Sequence, residues 1–135
     1  MAKEIYVNLP VKDLDKSIAF FTHLGFTFNA QFTDNKATCM IIGENIYAML
    51  IVHEFFKTFT NRPIADATKA TEVILALSSE SKEEVDNIIN KAIEAGGTSV
   101  MPTQDHGWMY ARGFQDIDGH MWETLWMDPN GPTEA

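Results

Sequence analysis

Cysteine is nearly absent from the chain: Cys39 is the single one. An intrachain disulfide and a thiolate metal cluster are therefore excluded. Cys39 lies in the apolar run Ala37-Thr38-Cys39-Met40-Ile41-Ile42 and reads as a small buried strand residue rather than a nucleophile. Basic residues are also scarce. Ten Lys and Arg stand against nineteen Asp and Glu, a formal net charge of −9 with the four histidines neutral. That balance disfavours nucleic acid and anionic membranes as partners. It suits a cationic ligand, although solubility alone explains it as well. No apolar run exceeds about half of the roughly 20 residues that a membrane-spanning helix needs. The opening MAKEIYVNLP places Glu4 and Asn8 among its apolar residues and lacks the hydrophobic stretch of a signal peptide. A cytoplasmic protein is expected, with no membrane partner.

What is present is a globular composition, 45% hydrophobic and 21% charged over 135 residues, enough for one domain with a real core. A weak internal repeat organises it. Residues 4–9 alternate as a strand, with Ile5, Val7 and Leu9 against Tyr6 and Asn8. Asp13 caps a helix carrying Leu14, Ile18, Phe21 and Leu24, and Gly25 ends it. Strands are expected at about 26–33, 37–43 and 46–53, separated by Asp34-Asn35 and by Gly43-Glu44-Asn45. The second half repeats the order. A strand over 72–78 leads to a Ser81/Glu84 capping box and a helix of Val85, Ile88, Ile89, Ala92 and Ile93. Gly96-Gly97 stops the helix, and strands follow at about 98–101, 108–115 and 120–127.

The expected fold class is thus α+β: two β-α-β-β-β modules forming curved mixed sheets around a concave cleft, with the helices on the convex side. Module one spans about 3–53 and module two about 71–128. Residues 54–70 form a polar linker with room for a short helical turn, and 129–135 a frayed tail. The whole makes a single domain, 1–135. Concave, partly apolar clefts are the usual place for a small-molecule ligand.

Three stretches carry a family resemblance. The first is Val7-Asn8-Leu9-Pro10-Val11-Lys12-Asp13-Leu14 with Ser17, Phe20-Phe21 and Leu24-Gly25-Phe26. The second is Leu75-Ala76-Leu77-Ser78 leading to Ala95-Gly96-Gly97, and the third is Phe114-Gln115-Asp116-Ile117-Asp118-Gly119-His120-Met121-Trp122-Glu123. In order and spacing the chain resembles the vicinal oxygen chelate superfamily of glyoxalases, bleomycin resistance proteins and extradiol dioxygenases. More narrowly, it is similar to bacterial proteins labelled predicted lactoylglutathione lyases. In the third stretch Ile117 stands where the family usually has proline. The resemblance also implies a homodimer, which symmetry arguments favour independently.

Metal-dependent members of the superfamily hold a divalent ion with His and Glu at four inward strand positions, where it acts as a Lewis acid on neighbouring substrate oxygens. Carried onto this chain, those positions fall on Tyr6, near Ile51, on Ile74 and on Glu123. A phenol that titrates near 10 is a poor ligand, and an isoleucine is none. Glu123 survives, and His53, two residues beyond Ile51 and on its face, is the possible second. No metal ligand set is therefore assigned and no cofactor is expected. His120 after the turn glycine, His106 in a loop and His23 on the first helix read as ordinary polar residues.

If Ile117-Asp118 form a two-residue turn, Arg112 faces Glu123, Tyr110 faces Leu125 and Phe114 faces Met121 across the last hairpin. All six then share the concave face, joined from the first strand by Tyr6 and Asn8. Trp122 and Trp126 point to the helix layer. On this register Arg112 either neutralises Glu123 or binds a ligand carboxylate or phosphate while Glu123 acts as base or acceptor.

Three functions remain open. One is a dimeric small-molecule-binding protein with a degenerate metal site, acting by sequestration. Another is a metal-dependent lyase or isomerase of glyoxalase type that recruits His53 or His106 beside Glu123. The last is a metal-free enzyme with Glu123 as general base. Whether the protein is an enzyme is left undecided by the sequence.

Overall fold

The computed structural model describes residues 1–132 and divides into two compact units, Met1–Ala65 and Asp66–Ala135. Each unit is a β-α-β-β-β module with a four-stranded mixed sheet. No described helix is long and apolar enough to cross a membrane.

The first unit contains β1 (Ile5–Val11), α1 (Leu14–His23), β2 (Thr27–Asn29), β3 (Ala37–Gly43), β4 (Ile46–Val52) and α2 (His53–Phe56). The sheet order is β1-β4-β3-β2, with β1 parallel to β4 and the other pairs antiparallel. Strand alternation sends Leu9 and Val11 to the same face as Ala48 and Leu50, and all four are buried. Helix α1 starts where Asp13 accepts the Lys16 N–H at 3.1 Å, and it buries Leu14, Ser17, Phe20 and Phe21. Strand β2 is shorter than the alternation suggests. The Asn29 side chain accepts the Gln31 N–H at 3.0 Å, and its carbonyl accepts the Thr33 hydroxyl at 2.8 Å. These local bonds turn Ala30–Phe32 into a 3-10 turn in place of a strand. The linker opens with α2 and a second 3-10 turn, Lys57–Phe59, joined by an edge contact of Phe55 and Phe59 at 5.0 Å.

The second unit contains β5 (Ile74–Ser78), α3 (Lys82–Glu94), β6 (Thr98–Asp105), β7 (Met109–Gln115) and β8 (Met121–Met127). Its order is β5-β8-β7-β6, with β5 parallel to β8. Ser81 caps α3 by accepting the Glu84 N–H at 3.1 Å, and the Glu84 carboxylate accepts the Glu80 N–H at 2.8 Å. This is a capping box shifted by one residue on its return bond. Val85, Ile89 and Ala92 form the buried stripe of α3, which packs across β6, β7 and β8. Strand β6 is longer than expected and irregular. Val100 pairs with Gly113 and Gln104 with Ala111, so the residues between them bulge, with Met101 at φ +62°. At the C-terminal end Asp128 forms a turn, its carbonyl accepting the Gly131 N–H at 2.8 Å. Fraying expected at 133–135 lies outside the described residues.

The β7–β8 hairpin corrects the expected register. Asp116 accepts the Gly119 N–H and donates its own N–H to His120, both at 3.1 Å. The loop therefore holds three residues, Ile117, Asp118 and Gly119, with Gly119 at φ +92°. A three-residue loop closed by a left-handed glycine is a standard hairpin solution. The Asp116 carboxylate organises it, accepting N–H groups from Asp118 at 2.9 Å, His120 at 3.0 Å and the Trp122 indole at 2.9 Å. The extra loop residue moves the pairing by one: Glu123 faces Gly113, Leu125 faces Ala111 and Met121 faces Gln115. A slip of one sends a strand's side chains to the opposite face.

Candidate functional site

On the face of the second sheet away from α3, Glu123 sits between two very small residues, Ala76 on β5 and Gly113 on β7. The next row holds Ile74, Met121 and Gln115, and the row on the other side Ser78, Leu125 and Ala111. With the β6 bulge beside them, Ile74, Val100, Met101, Gly113, Met121 and Glu123 line a depression of about 130 Å³. Gly113 lets its neighbours approach closely at the edge of this depression. A Cβ there would lie 3.3 Å from both the Trp122 carbonyl oxygen and Val100 Cγ2. Glu123 is half-buried, and among the described residues its carboxylate makes no hydrogen bond or ion pair. Met121 and Leu125 are half-buried on the same face, as expected for β8.

Three residues expected on this face lie on the other. Tyr110, Arg112 and Phe114 point toward α3, because the longer loop shifts β7 by one residue. Asp86 on α3 accepts the Tyr110 hydroxyl at 2.8 Å and Arg112 Nη1 at 3.0 Å. The Asp86 carboxyl is held below its ordinary value, first by the Tyr110 hydrogen bond and then by the hydrogen bond and charge of Arg112, against desolvation. The same bond pushes the Tyr110 phenol up. Lys82 Nζ lies 5.7 Å from the Tyr110 ring centre and 5.6 Å from that of Trp126. Phe114 is buried and stacks on Trp122 at 6.2 Å. Arg112 is thus engaged by a helix carboxylate, and the Arg112–Glu123 pair expected from the sequence does not form.

The first-unit candidates are set apart in kind. Tyr6 is 51% exposed, stacks on Tyr47 at 4.9 Å and donates to the Glu4 carboxylate at 3.2 Å. Its phenol is held above the ordinary 10.0, first by partial desolvation and then by the Glu4 charge. Asn8 is exposed on the face it shares with Tyr6, opposite Leu9 and Val11. His53 does not continue the face of Ile51. Strand β4 ends at Val52, and His53 is the exposed first residue of α2 while Ile51 is buried. Cys39 is buried as expected, and burial pushes its thiol up.

The four positions that would hold a family metal therefore offer a phenol, two alkyl side chains and one carboxylate, a donor set that does not fit a divalent ion. No group of three or more His, Cys, Asp or Glu side chains converges among the described residues. Sequence reasoning missed Gly113, Met101 and Asp86. The Asp118-Gly119 dipeptide was the signal for the register, and with it for Gly113.

Comparison with known proteins agrees with the architecture. The family described as the Glyoxalase/Bleomycin resistance protein/Dioxygenase superfamily matches residues 5–124. A hypothetical protein from S. aureus is 33% identical, covering 93% of this chain and 95% of that one, with a TM-score of 0.78. A glyoxalase-related enzyme from Fulvimarina pelagi shares the fold at 17% identity and TM-score 0.80, covering all of this chain and 94% of that one. The fosfomycin resistance protein FosX from Listeria monocytogenes does so at 20% and 0.68, covering all of this chain and 95% of that one. No curated protein matches the chain.

Proposed function

The chain belongs to the Glyoxalase/Bleomycin resistance protein/Dioxygenase superfamily, and from that premise we propose that it is a small-molecule-binding protein, without a resident divalent ion, whose ligand lies over Glu123. The observation that carries this reading is the depression itself. Apolar walls from Ile74, Val100, Met101 and Met121 surround one carboxylate that has no partner among the described residues. Apolar lining with a few polar groups is the ordinary composition of a ligand site. A general-base role for Glu123 beside Arg112 loses its arginine to Asp86. A glyoxalase-type lyase needs a metal that the donor set does not fit. The homodimer belongs to the same reading, supported by exposed Ile5 and Ile46, paired across the edge of the first sheet.

Two measurements test the proposal. Thermal denaturation against a panel of small amphipathic molecules should find ligands that stabilise the protein, by about 2.7 kcal/mol at a hundredfold excess over Kd. Glu123→Gln should weaken that stabilisation. Elemental analysis of untagged protein grown with nickel, manganese and zinc should find no stoichiometric metal. About one divalent ion per chain, lost in Glu123→Gln, would overturn the metal-free reading and favour the lyase.

A further inference from the structure

We infer that the depression is a subsite for an organic cation: an ammonium group seated against Glu123 above Gly113, with its apolar body along Ile74, Met101 and Met121. The inference rests on the proposed ligand site and adds the charge and shape of what fills it. Three features of the second unit carry it.

The first is charge. A half-buried carboxylate beside alkyl and thioether groups, with no hydrogen bond or ion pair among the described residues, keeps its acceptor oxygens open to a cation or donor. In this unit Arg112 borders the depression but its guanidinium is held by Asp86 at 3.0 Å, and Lys82 lies over Tyr110 and Trp126 and 3.8 Å from Asp105. Both side chains are engaged on the α3 side. Among the described residues no cationic side chain pairs with Glu123, so a ligand cation gains a contact that they do not supply. An anionic ligand meets repulsion from the same carboxylate.

The second is space. Ala76 and Gly113 flank Glu123 across the strands, so the carboxylate stands between the two smallest residues of its row. A compact head group can reach its oxygens. The gap at Gly113 is narrow, since even one Cβ would approach backbone and Val100 at 3.3 Å. The third is the wall. Met101 is a non-glycine residue held at φ +62°, 74% exposed, and it lines the depression from the β6 bulge. Such a conformation is uncommon for a side chain of this size, and here the bulge brings a flexible thioether to the rim. Methionine adapts to irregular apolar bodies.

The test uses three probes of one length, octylammonium, 1-octanol and octanoate, titrated calorimetrically into the wild type, Glu123→Gln and Gly113→Ala. Octylammonium should bind the wild type roughly fivefold tighter than octanol, the margin of one partly exposed charge-assisted contact. Octanoate should bind more weakly than octanol. Glu123→Gln should erase the difference between octylammonium and octanol, and Gly113→Ala should weaken all three. Equal binding of octylammonium and octanol by the wild type would overturn the inference, as would a preference that persists in Glu123→Gln. If no charge preference appears yet Gly113→Ala still weakens binding, the ligand site stands and the cation is wrong. If none of the three binds, the inference falls, and the ligand site falls with it only when the wider panel is also silent. A change in sedimentation of Gly113→Ala or Glu123→Gln alongside lost binding would assign this face to a second copy of the chain and overturn the subsite.

Discussion

Gly119→Ala gives the sharpest test of the hairpin register on which the site depends. Gly119 has φ +92°, where an L side chain costs about 1–2 kcal/mol. Its added Cβ would also lie 2.8 Å from the Thr68 nitrogen and 2.9 Å from the Ala67 carbonyl carbon. Both are backbone atoms, which yield only if the 67–68 segment moves, and forced overpacking of this kind costs about 1–3 kcal/mol. The two effects together predict a loss of about 2–5 kcal/mol. Gly107→Ala is the internal control. Gly107 has φ +79° but no atom within 4 Å of the added Cβ, so it should show the conformational cost alone, about 1–2 kcal/mol. Urea denaturation of the three proteins reads this directly. The midpoint for Gly119→Ala should fall by roughly 1–2 M with an unchanged slope. Equal losses at the two glycines would refute the packing of the hairpin tip against 67–68. A neutral Gly119→Ala would refute the left-handed loop, restore a two-residue turn and put Arg112 back opposite Glu123.

Two further substitutions test the α3 face. The folded-state carboxyl of Asp86 is held below its ordinary 3.8, so its contribution is fully present above that value and is lost as pH falls through the folded value. The stability difference between wild type and Asp86→Asn should therefore be constant near neutrality and shrink below about pH 3.8 in a pH series of urea unfolding; a difference that grew on acidification would contradict the assignment. The effect is small, because the Asp86 side chain is 43% exposed and solvent screens the pair. Tyr110→Phe removes the hydrogen bond to Asp86 and should cost about 0.5–1.5 kcal/mol. It should leave binding of any ligand identified in the thermal panel unchanged, whereas a clear loss of affinity would place Tyr110 back on the ligand face.

Much of the fold was legible because local chemistry and tertiary packing agree. Asp13 and Ser81 cap the helices they were expected to cap, and strand β3 spans the residues its apolar run suggested. The expectation failed where local hydrogen bonds compete with alternation. Asn29 and Thr33 convert the end of an apparent strand into a 3-10 turn, and His53 enters a helix because β4 has already ended. Neither failure moves the sheets. The hairpin failure is of another order, since a two-residue turn at Ile117-Asp118 and a three-residue loop over Ile117, Asp118 and Gly119 are both acceptable in one dimension. What separates them is Asp116, whose carboxylate gathers three N–H groups only when the loop has three residues. A side chain gathering donors up to six positions away is not visible in a pattern of period two.

That single loop residue also decides what chemistry the site can do. With Arg112 opposite Glu123 the floor would carry a neutralised pair, and a ligand would gain little from charge. With Gly113 opposite, the arginine stabilises a helix contact on the far face, and the carboxylate has no partner among the described residues. The composition is the same in both cases, so the net charge of −9 cannot distinguish them. Local geometry does. The left-handed backbone at Gly119 and the missing side chain at Gly113 are two uses of glycine in one hairpin, one setting the register and the other permitting the close approach of Val100 and the Trp122 carbonyl beside the carboxylate. A variant that slips the register while keeping the fold would thus exchange an anionic pocket for a neutral one by bringing Arg112 beside Glu123 in place of Gly113.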